Sequence, residues 1–129
     1  MSFDMARLGK LNLDRWPPKY RVATDYELQL DIDSEQELGF FKMMYQRFAK
    51  DLAAQGLASF KPYIVKESRK PGHYHVTVPL EHPLTAFDRG FLQACFGSDR
   101  RRELRTWGRV KLGLPDPIVF TIHDLEKPK

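Results

Sequence analysis

The most regular pattern in this chain is in the sequence YELQLDIDSEQELGFFKMMYQRFAKDLAAQG, residues 26–56. Its first eight residues alternate between two faces: Tyr26, Leu28, Leu30 and Ile32 on one, Glu27, Gln29, Asp31 and Asp33 on the other. A period of two predicts a half-buried β-strand. Ser34 then caps a helix, and Glu37 completes a capping box with it. The helix carries an apolar stripe of Leu38, Phe41, Tyr45, Phe48 and Leu52 and ends at Gly56.

The remaining elements follow from the same patterns. Strands are predicted at 60–67, 73–78 and 118–123, with a turn at Lys70-Pro71-Gly72 between the first two. One helix follows a Thr85 cap and contains Phe87, Phe91 and Cys95, and an arginine-rich helix follows a Ser98 cap. Residues 1–22 lack periodicity and contain a stiff Trp16-Pro17-Pro18 break. The order β-α-β-β-α-α-β predicts a single α+β domain over residues 1–129, with a mainly antiparallel, RRM-like sheet backed by helices.

Composition narrows the class of protein. The chain has 129 residues, of which 42% are hydrophobic and 29% charged, as in an ordinary globular domain. Cys95 is its single cysteine, so an intrachain disulfide and a cysteine-rich zinc site are both excluded. No apolar run is long enough to span a membrane and the N-terminus lacks an apolar signal core, so we expect a cytoplasmic protein without a membrane partner. A net charge of +4 favours a polyanionic partner.

Two carboxylates end the first predicted strand. Asp31 and Asp33 are two positions apart, so both lie on one face, about 6–7 Å apart along the strand. Hard oxygen ligands at this spacing suit Mg²⁺ or Mn²⁺ bound together with substrate phosphates. The competing interpretation is a solvated strand end that runs into a helix cap.

A basic turn precedes the third predicted strand, in the sequence ESRKPGHYHVTVPL, residues 67–80. Lys70 and the amides of the turn can meet phosphate oxygens, and His75 on the polar face of the strand can donate a hydrogen bond to one. A surface hairpin with exposed histidines is the alternative.

The segment SDRRRELRTWGRVK, residues 98–111, holds six cations and two acids. Its arginines predict a surface that follows a phosphate backbone, with an ordinary solvated helix face as the alternative. The candidate nucleic-acid-binding residues are Arg100, Arg101, Arg102 and Arg105.

Taken together, these motifs resemble the catalytic core of archaeo-eukaryotic primases and prim-pols, and in particular the polymerase domain of bacterial end-joining ligases. LQLDIDSE (28–35) is similar to the family's strand ending in D-x-D, and FFKMMYQRFAKDLAAQGL (40–57) to the helix that follows it. YIVKESRKPGHYHVTVPL (63–80) is similar to its Ser/Gly turn leading to a histidine. The resemblance covers roughly residues 26–80.

The resemblance implies a metal-dependent nucleotidyltransferase that acts on nucleic acid and nucleoside triphosphates, with replication proteins as further partners. DNA is the expected nucleic acid, ahead of RNA. Asp31 and Asp33 would bind Mg²⁺ or Mn²⁺, with Asp99, or next Asp124, as a third acidic ligand. Asp31, Asp33 and His75 form the implied catalytic set. The implied nucleotide-binding residues are Ser68, Lys70, Gly72, His75 and Arg109.

Two other functions remain open at the level of sequence. The turn departs from the family's S-G-x-x-G-x-H pattern, which leaves room for a non-catalytic, RRM-like nucleic-acid-binding module. His73-Tyr74-His75 is also similar to the metal motif of HUH-type replication-initiation nucleases. Such a nuclease needs a nucleophilic tyrosine, for which Tyr20, Tyr26 and Tyr45 are the candidates.

Overall fold

The computed structural model describes residues 20–113 and 117–121, and within them the chain is an α+β protein. Eight elements follow one another: β1 (Tyr20–Val22), β2 (Glu27–Ile32), α1 (Glu35–Ala54), β3 (Ile64–Glu67), β4 (Tyr74–Pro79), α2 (Ala86–Cys95), α3 (Arg100–Lys111) and β5 (Pro117–Thr121). The α+β class and the mainly antiparallel sheet are confirmed. None of the helices in the described ranges is long and apolar enough to cross a membrane.

Three strands form the central antiparallel sheet in the order β2-β4-β3. In β2, Leu28, Leu30 and Ile32 are buried on one face, as the alternation predicts. They share the core with Val76 and Val78 of β4. The opposite face of the same strands carries Asp31 directly across from His75, which begins the candidate site.

Helix α1 starts where its sequence predicts. Ser34 has an extended backbone, and its Oγ accepts the Glu37 N–H at 3.1 Å. Glu37 Oε2 reaches one residue further back than in the standard box and accepts the Asp33 N–H at 3.1 Å. Phe41 is buried on the sheet, and Gly56, with a φ of 71°, follows the end of the helix.

The predicted strand at 60–67 is divided in two. Phe60 forms an isolated bridge with Leu80, and the Lys61 N–H donates to the Pro79 carbonyl at 2.8 Å. Pro62 follows and has no N–H to donate, so the regular ladder resumes only at Ile64.

One edge of the central sheet is closed by side chains. The N–H and C=O groups of Gln29 and Asp31 point away from β4, toward α2 and α3. Gln93 Oε1 accepts the Gln29 N–H at 2.9 Å, and Arg102 Nη1 donates to the Gln29 carbonyl at 2.7 Å. These bonds satisfy an edge that would otherwise be unpaired and bring α3 against β2.

Two predictions need correction. Gln29, expected on the solvated face of β2, is 1% exposed: its backbone is bonded to Gln93 and Arg102, and its Oε1 accepts from Thr77 Oγ1 at 3.0 Å. The cap of α3 is Asp99, one residue after the predicted Ser98. Helix α2 buries Arg89 and Gln93, whereas its apolar residues Phe87, Phe91 and Cys95 are exposed.

The described strands do not confirm the RRM-like label. Strand β1, which the sequence left irregular, pairs antiparallel with β5 in a separate two-stranded sheet. Strand β5 therefore does not pair with β2 to extend the central sheet. The Trp16-Pro17-Pro18 break and the end of the strand predicted at 118–123 lie outside the described residues.

Candidate metal centre

Three carboxylates meet at the end of β2. One oxygen from each of Asp31, Asp33 and Asp99 lies within 4.8 Å of the others. Asp31 and Asp33 share a face of one strand, whereas Asp99 comes from the junction of α2 and α3, 66 residues later in the sequence. The structure thus brings together the three acids that the resemblance implied as metal ligands. Asp124, the second choice for the third acid, lies outside the described residues.

Backbone hydrogen bonds hold Asp99 in place. Its N–H donates to the Asp31 carbonyl at 2.8 Å, and the Asp31 N–H donates to Ser98 Oγ at 2.9 Å. These two bonds dock the α2–α3 junction onto the last residues of β2. The third acid is therefore positioned by the same edge that Gln93 and Arg102 close.

Two helices begin beside the acids. Helix α1 starts two residues after Asp33, and α3 starts directly after Asp99, whose Oδ1 accepts the Arg101 N–H at 3.0 Å. Helix N-termini carry partial positive charge and favour nearby anions. They offset part of the repulsion among the three carboxylates.

Both histidines of the third predicted strand face this cluster. His73 Nδ1 lies 3.4 Å from Asp33 Oδ1, and His75 Nε2 lies 4.0 Å from Asp31 Oδ1. The His75 side chain is 11% exposed, so neighbouring atoms restrict the orientation of its ring. The site therefore combines three oxygen ligands with two imidazoles that can donate to an anion.

Burial and repulsion from neighbouring carboxylates make Asp31 and Asp33 reluctant to ionise. Burial raises the pKa of Asp31 to about 6, with the charge of Asp33 as the next cause, while Arg102 acts in the opposite direction. Burial also raises the pKa of Asp33, followed by repulsion from Asp99. The charge of a bound divalent cation would offset this repulsion and so favour the ionised forms of Asp31 and Asp33.

The donor set fits a hard divalent cation. Three carboxylates supply only oxygen ligands, which Mg²⁺ and Mn²⁺ prefer, and leave coordination positions for water or substrate phosphates. Asp31, Asp33 and Asp99 would hold such an ion.

The basic turn lies at the same end of the sheet, since Tyr74 at the start of β4 pairs with Ile32. Ser68 Oγ accepts the Lys70 N–H at 3.2 Å, and the Ser68 N–H donates to the His73 carbonyl at 2.8 Å. Gly72 has a φ of 81°, a conformation that favours glycine. Lys70 is exposed, so the turn presents its cation to solvent next to the strand that carries His75.

The arginines divide into two groups. Arg100 and Arg101 are exposed, and Arg105 is half-buried. All three are therefore accessible to solvent, as a nucleic-acid-binding surface requires. Arg102 is 4% exposed and bonded to Gln29 and Glu103, so its predicted contact with nucleic acid is wrong.

Arg109, predicted as a nucleotide-binding residue, is also 4% exposed. It lies ten residues after Asp99, about 15 Å along α3. The structure does not bring it to the acid cluster.

Sequence reasoning missed two residues of the site. The sequence motif links His73 only to the nuclease alternative, although its position two residues before His75 indicates a shared face. Ser98 is predicted to cap α3, while its hydroxyl instead accepts a hydrogen bond from Asp31. Only the packing of α3 against β2 reveals that second role.

Of the three tyrosines in the nuclease alternative, neither Tyr45 nor Tyr26 joins the cluster. Tyr45 packs in an aromatic group on the core side of the sheet, and its hydroxyl donates to the Lys61 carbonyl at 3.2 Å. Tyr26 lies five residues before Asp31, roughly 17 Å away along the strand. Tyr20 is in β1, and its side chain is outside the described part of the structure.

Comparisons of this chain with protein-family models, with curated proteins and with solved structures find no match.

Proposed function

We propose that this protein is a metal-dependent nucleotidyltransferase of the primase-polymerase type, which joins nucleoside monophosphates from triphosphates to nucleic acid. The observation that carries the proposal is the convergence of Asp31, Asp33 and Asp99 beside two histidines and two helix N-termini. Its substrates would be nucleoside triphosphates and a nucleic acid, for which we expect DNA ahead of RNA. Mg²⁺ or Mn²⁺ would be the cofactor.

In the proposed reaction, the 3′-hydroxyl oxygen of a nucleic-acid end bonds to the α-phosphorus, the bond to pyrophosphate breaks, and the hydroxyl proton is lost to water. Such transfers depend mainly on positioning and on stabilising charge, so no covalent nucleophile from the protein is required. A divalent cation held by the three acids would supply charge neutralisation for the triphosphate.

The chain's own residues would have separate tasks. Asp31, Asp33 and Asp99 would hold the cation, since one oxygen of each lies within 4.8 Å of the others. His75 would donate to a phosphate oxygen from the neighbouring strand. Lys70, exposed in the adjacent turn, would meet the outer phosphates.

The test is incorporation of labelled nucleotides in the presence of Mn²⁺, on both primed and unprimed templates. Asp33→Asn should reduce incorporation at least about a hundredfold, because one ligand of the cation loses its charge. Asp51→Asn, an exposed carboxylate on α1, is the matched control and should be unchanged.

If the wild-type protein incorporates no nucleotide with any metal or template, yet binds nucleic acid, the nucleotidyltransferase proposal fails. The remaining function would then be that of a nucleic-acid-binding module. The exposed arginines of α3 are the observation that favours this second candidate.

A further inference from the structure

An apolar groove of about 290 Å³ runs between α2 and α3. Four large side chains lie along it, and each is roughly half exposed: Phe87, Phe91, Leu104 and Trp107. The same two helices bury Arg89, Gln93, Arg102 and Glu103. Their apolar sides therefore face outward along the groove.

The fold explains why the polar sides are buried, but not why the outer sides are apolar. Gln93 and Arg102 satisfy backbone groups of β2, and Glu103 accepts from Gln93 at 2.8 Å. A solvated outer side would ordinarily be polar. Contiguous exposed apolar surface of this kind commonly marks a binding site.

Cations stand at both ends of the groove. Arg100, Leu104, Trp107 and Lys111 follow a 4-3-4 spacing and form one stripe of α3. Lys111 Nζ lies 5.8 Å from the ring centroid of Phe87 and 5.9 Å from that of Trp107. Arg100 lies at the other end, about 17 Å away along the helix axis.

The groove shares two lining residues with the cavity beside the acid cluster. A second cavity of about 790 Å³ is lined by Asp33 and Asp99 and extends to Ala94 and Arg100. Ala94 and Arg100 also line the groove. A flexible ligand with one end at the carboxylates would therefore continue past Arg100 onto the aromatic side chains.

We propose that the α2–α3 groove binds a single strand of nucleic acid that leads to the acid cluster, an inference that rests on the proposed function. Unpaired bases stack on exposed aromatic rings, whereas the bases of a duplex are stacked on one another and unavailable. Phe87, Phe91 and Trp107 supply the rings, and Arg100 and Lys111 supply cations for the phosphates. The favoured substrate is thus single-stranded rather than duplex nucleic acid.

The test measures binding of the full chain to a fluorescein-labelled oligo(dT) of about 12 nucleotides, within the site sizes of known single-strand-binding folds, and to a duplex of equal length. Both titrations contain EDTA and no triphosphate, so that they do not depend on the acid cluster. Phe91→Ser and Trp107→Ser should each weaken single-strand binding about five- to a hundredfold and change duplex binding less than about threefold.

Two further variants serve as controls. Trp107→Tyr keeps a stacking ring and should lose less than about threefold in single-strand affinity. Phe48→Ser removes an exposed ring on α1 that carries its own cation, with the Arg47 guanidinium 5.8 Å from the ring centroid. This control should leave single-strand binding unchanged, because Phe48 lies outside the groove.

The groove proposal is overturned if the two serine variants bind the single strand as tightly as wild type, or lose equal affinity for single strand and duplex. It is also overturned if Trp107→Ser instead dissociates a dimer or abolishes binding of an acidic amphipathic peptide while oligo(dT) binding persists. Selective single-strand loss without any nucleotide incorporation by wild type supports the groove and refutes the nucleotidyltransferase. Normal incorporation and unchanged single-strand binding by both serine variants would refute the groove and support the nucleotidyltransferase.

Discussion

At the scale of single residues, the ionised form of Asp31 lowers the stability of the folded protein. Its pKa of about 6 lies above the ordinary value of 3.8, because burial and the neighbouring Asp33 disfavour the charge. The folded state therefore binds a proton more readily than the unfolded chain between about pH 4 and pH 6. Stability contributed by this group is present below pH 4 and is lost as the pH rises to 6.

Asp31→Asn should therefore stabilise the metal-free protein at pH 7.5 by about 1–3 kcal/mol, because a neutral amide replaces a disfavoured carboxylate. The gain should disappear near pH 4, where Asp31 is already protonated. Urea unfolding in EDTA at the two pH values measures both effects, with Asp51→Asn as the control for an exposed carboxylate. Equal stability of wild type and variant at pH 7.5 would show that burial and the charge of Asp33 do not disfavour the ionised form of Asp31 as described.

The same residues show how far sequence reasoning reaches. The period-two alternation is enough to place Asp31 and Asp33 on one face, and that placement is local. Asp99 enters only through the family resemblance, since its approach depends on hydrogen bonds to a strand far away in sequence. The period-two alternation also predicts that His73 shares a face with His75. It does not predict the hydrogen bond between Ser98 and Asp31.

At the scale of elements, the closed edge of β2 holds the site together. Arg102 reaches Gln29 from α3 and pairs with Glu103, and all three are buried. The strands and helices are predictable because caps and periodicity are local signals. The buried side of α2 is not predictable in this way. Polar side chains of α2 are buried because they bond the edge of β2, whereas an apolar pattern alone places polar residues in solvent.

Arg102→Met should destabilise the protein by about 3 kcal/mol, because it leaves Glu103 buried without its cation and the Gln29 carbonyl without its donor. Arg101→Met, on the exposed side of the same helix, should change stability by less than about 0.5 kcal/mol. Chemical denaturation compares the two. A loss below about 1 kcal/mol for Arg102→Met would mean that the edge does not depend on this interaction.

At the scale of the whole molecule, positive charge is concentrated on α3, which carries six cations and one acid. Arg100, Arg101, Arg105 and Lys111 lie on its solvent side, and its one acid, Glu103, is buried. This helix starts at the acid cluster and leads away from it. Such an arrangement places a positive surface along the path that we propose for a nucleic-acid strand.

Replacing Arg100, Arg101 and Arg105 by glutamine should weaken binding to single strands and reduce the slope of log K against log salt by about 0.7 for each phosphate that is no longer neutralised. Glutamine at Lys42, Arg47 and Lys50 on α1 removes the same charge elsewhere and is the matched control. Anisotropy titrations over a range of salt concentrations measure the slopes. Equal slopes for both triple variants would assign the binding to net charge alone.

The proposed function requires Asp31, Asp33 and Asp99 to bind a divalent cation. Anomalous scattering from crystals soaked with Mn²⁺ and a non-hydrolysable nucleoside triphosphate tests this requirement. We expect a manganese peak about 2.1 Å from an oxygen of each carboxylate, with triphosphate oxygens completing the coordination. A nucleotide bound elsewhere, with no manganese between the three acids, would contradict it.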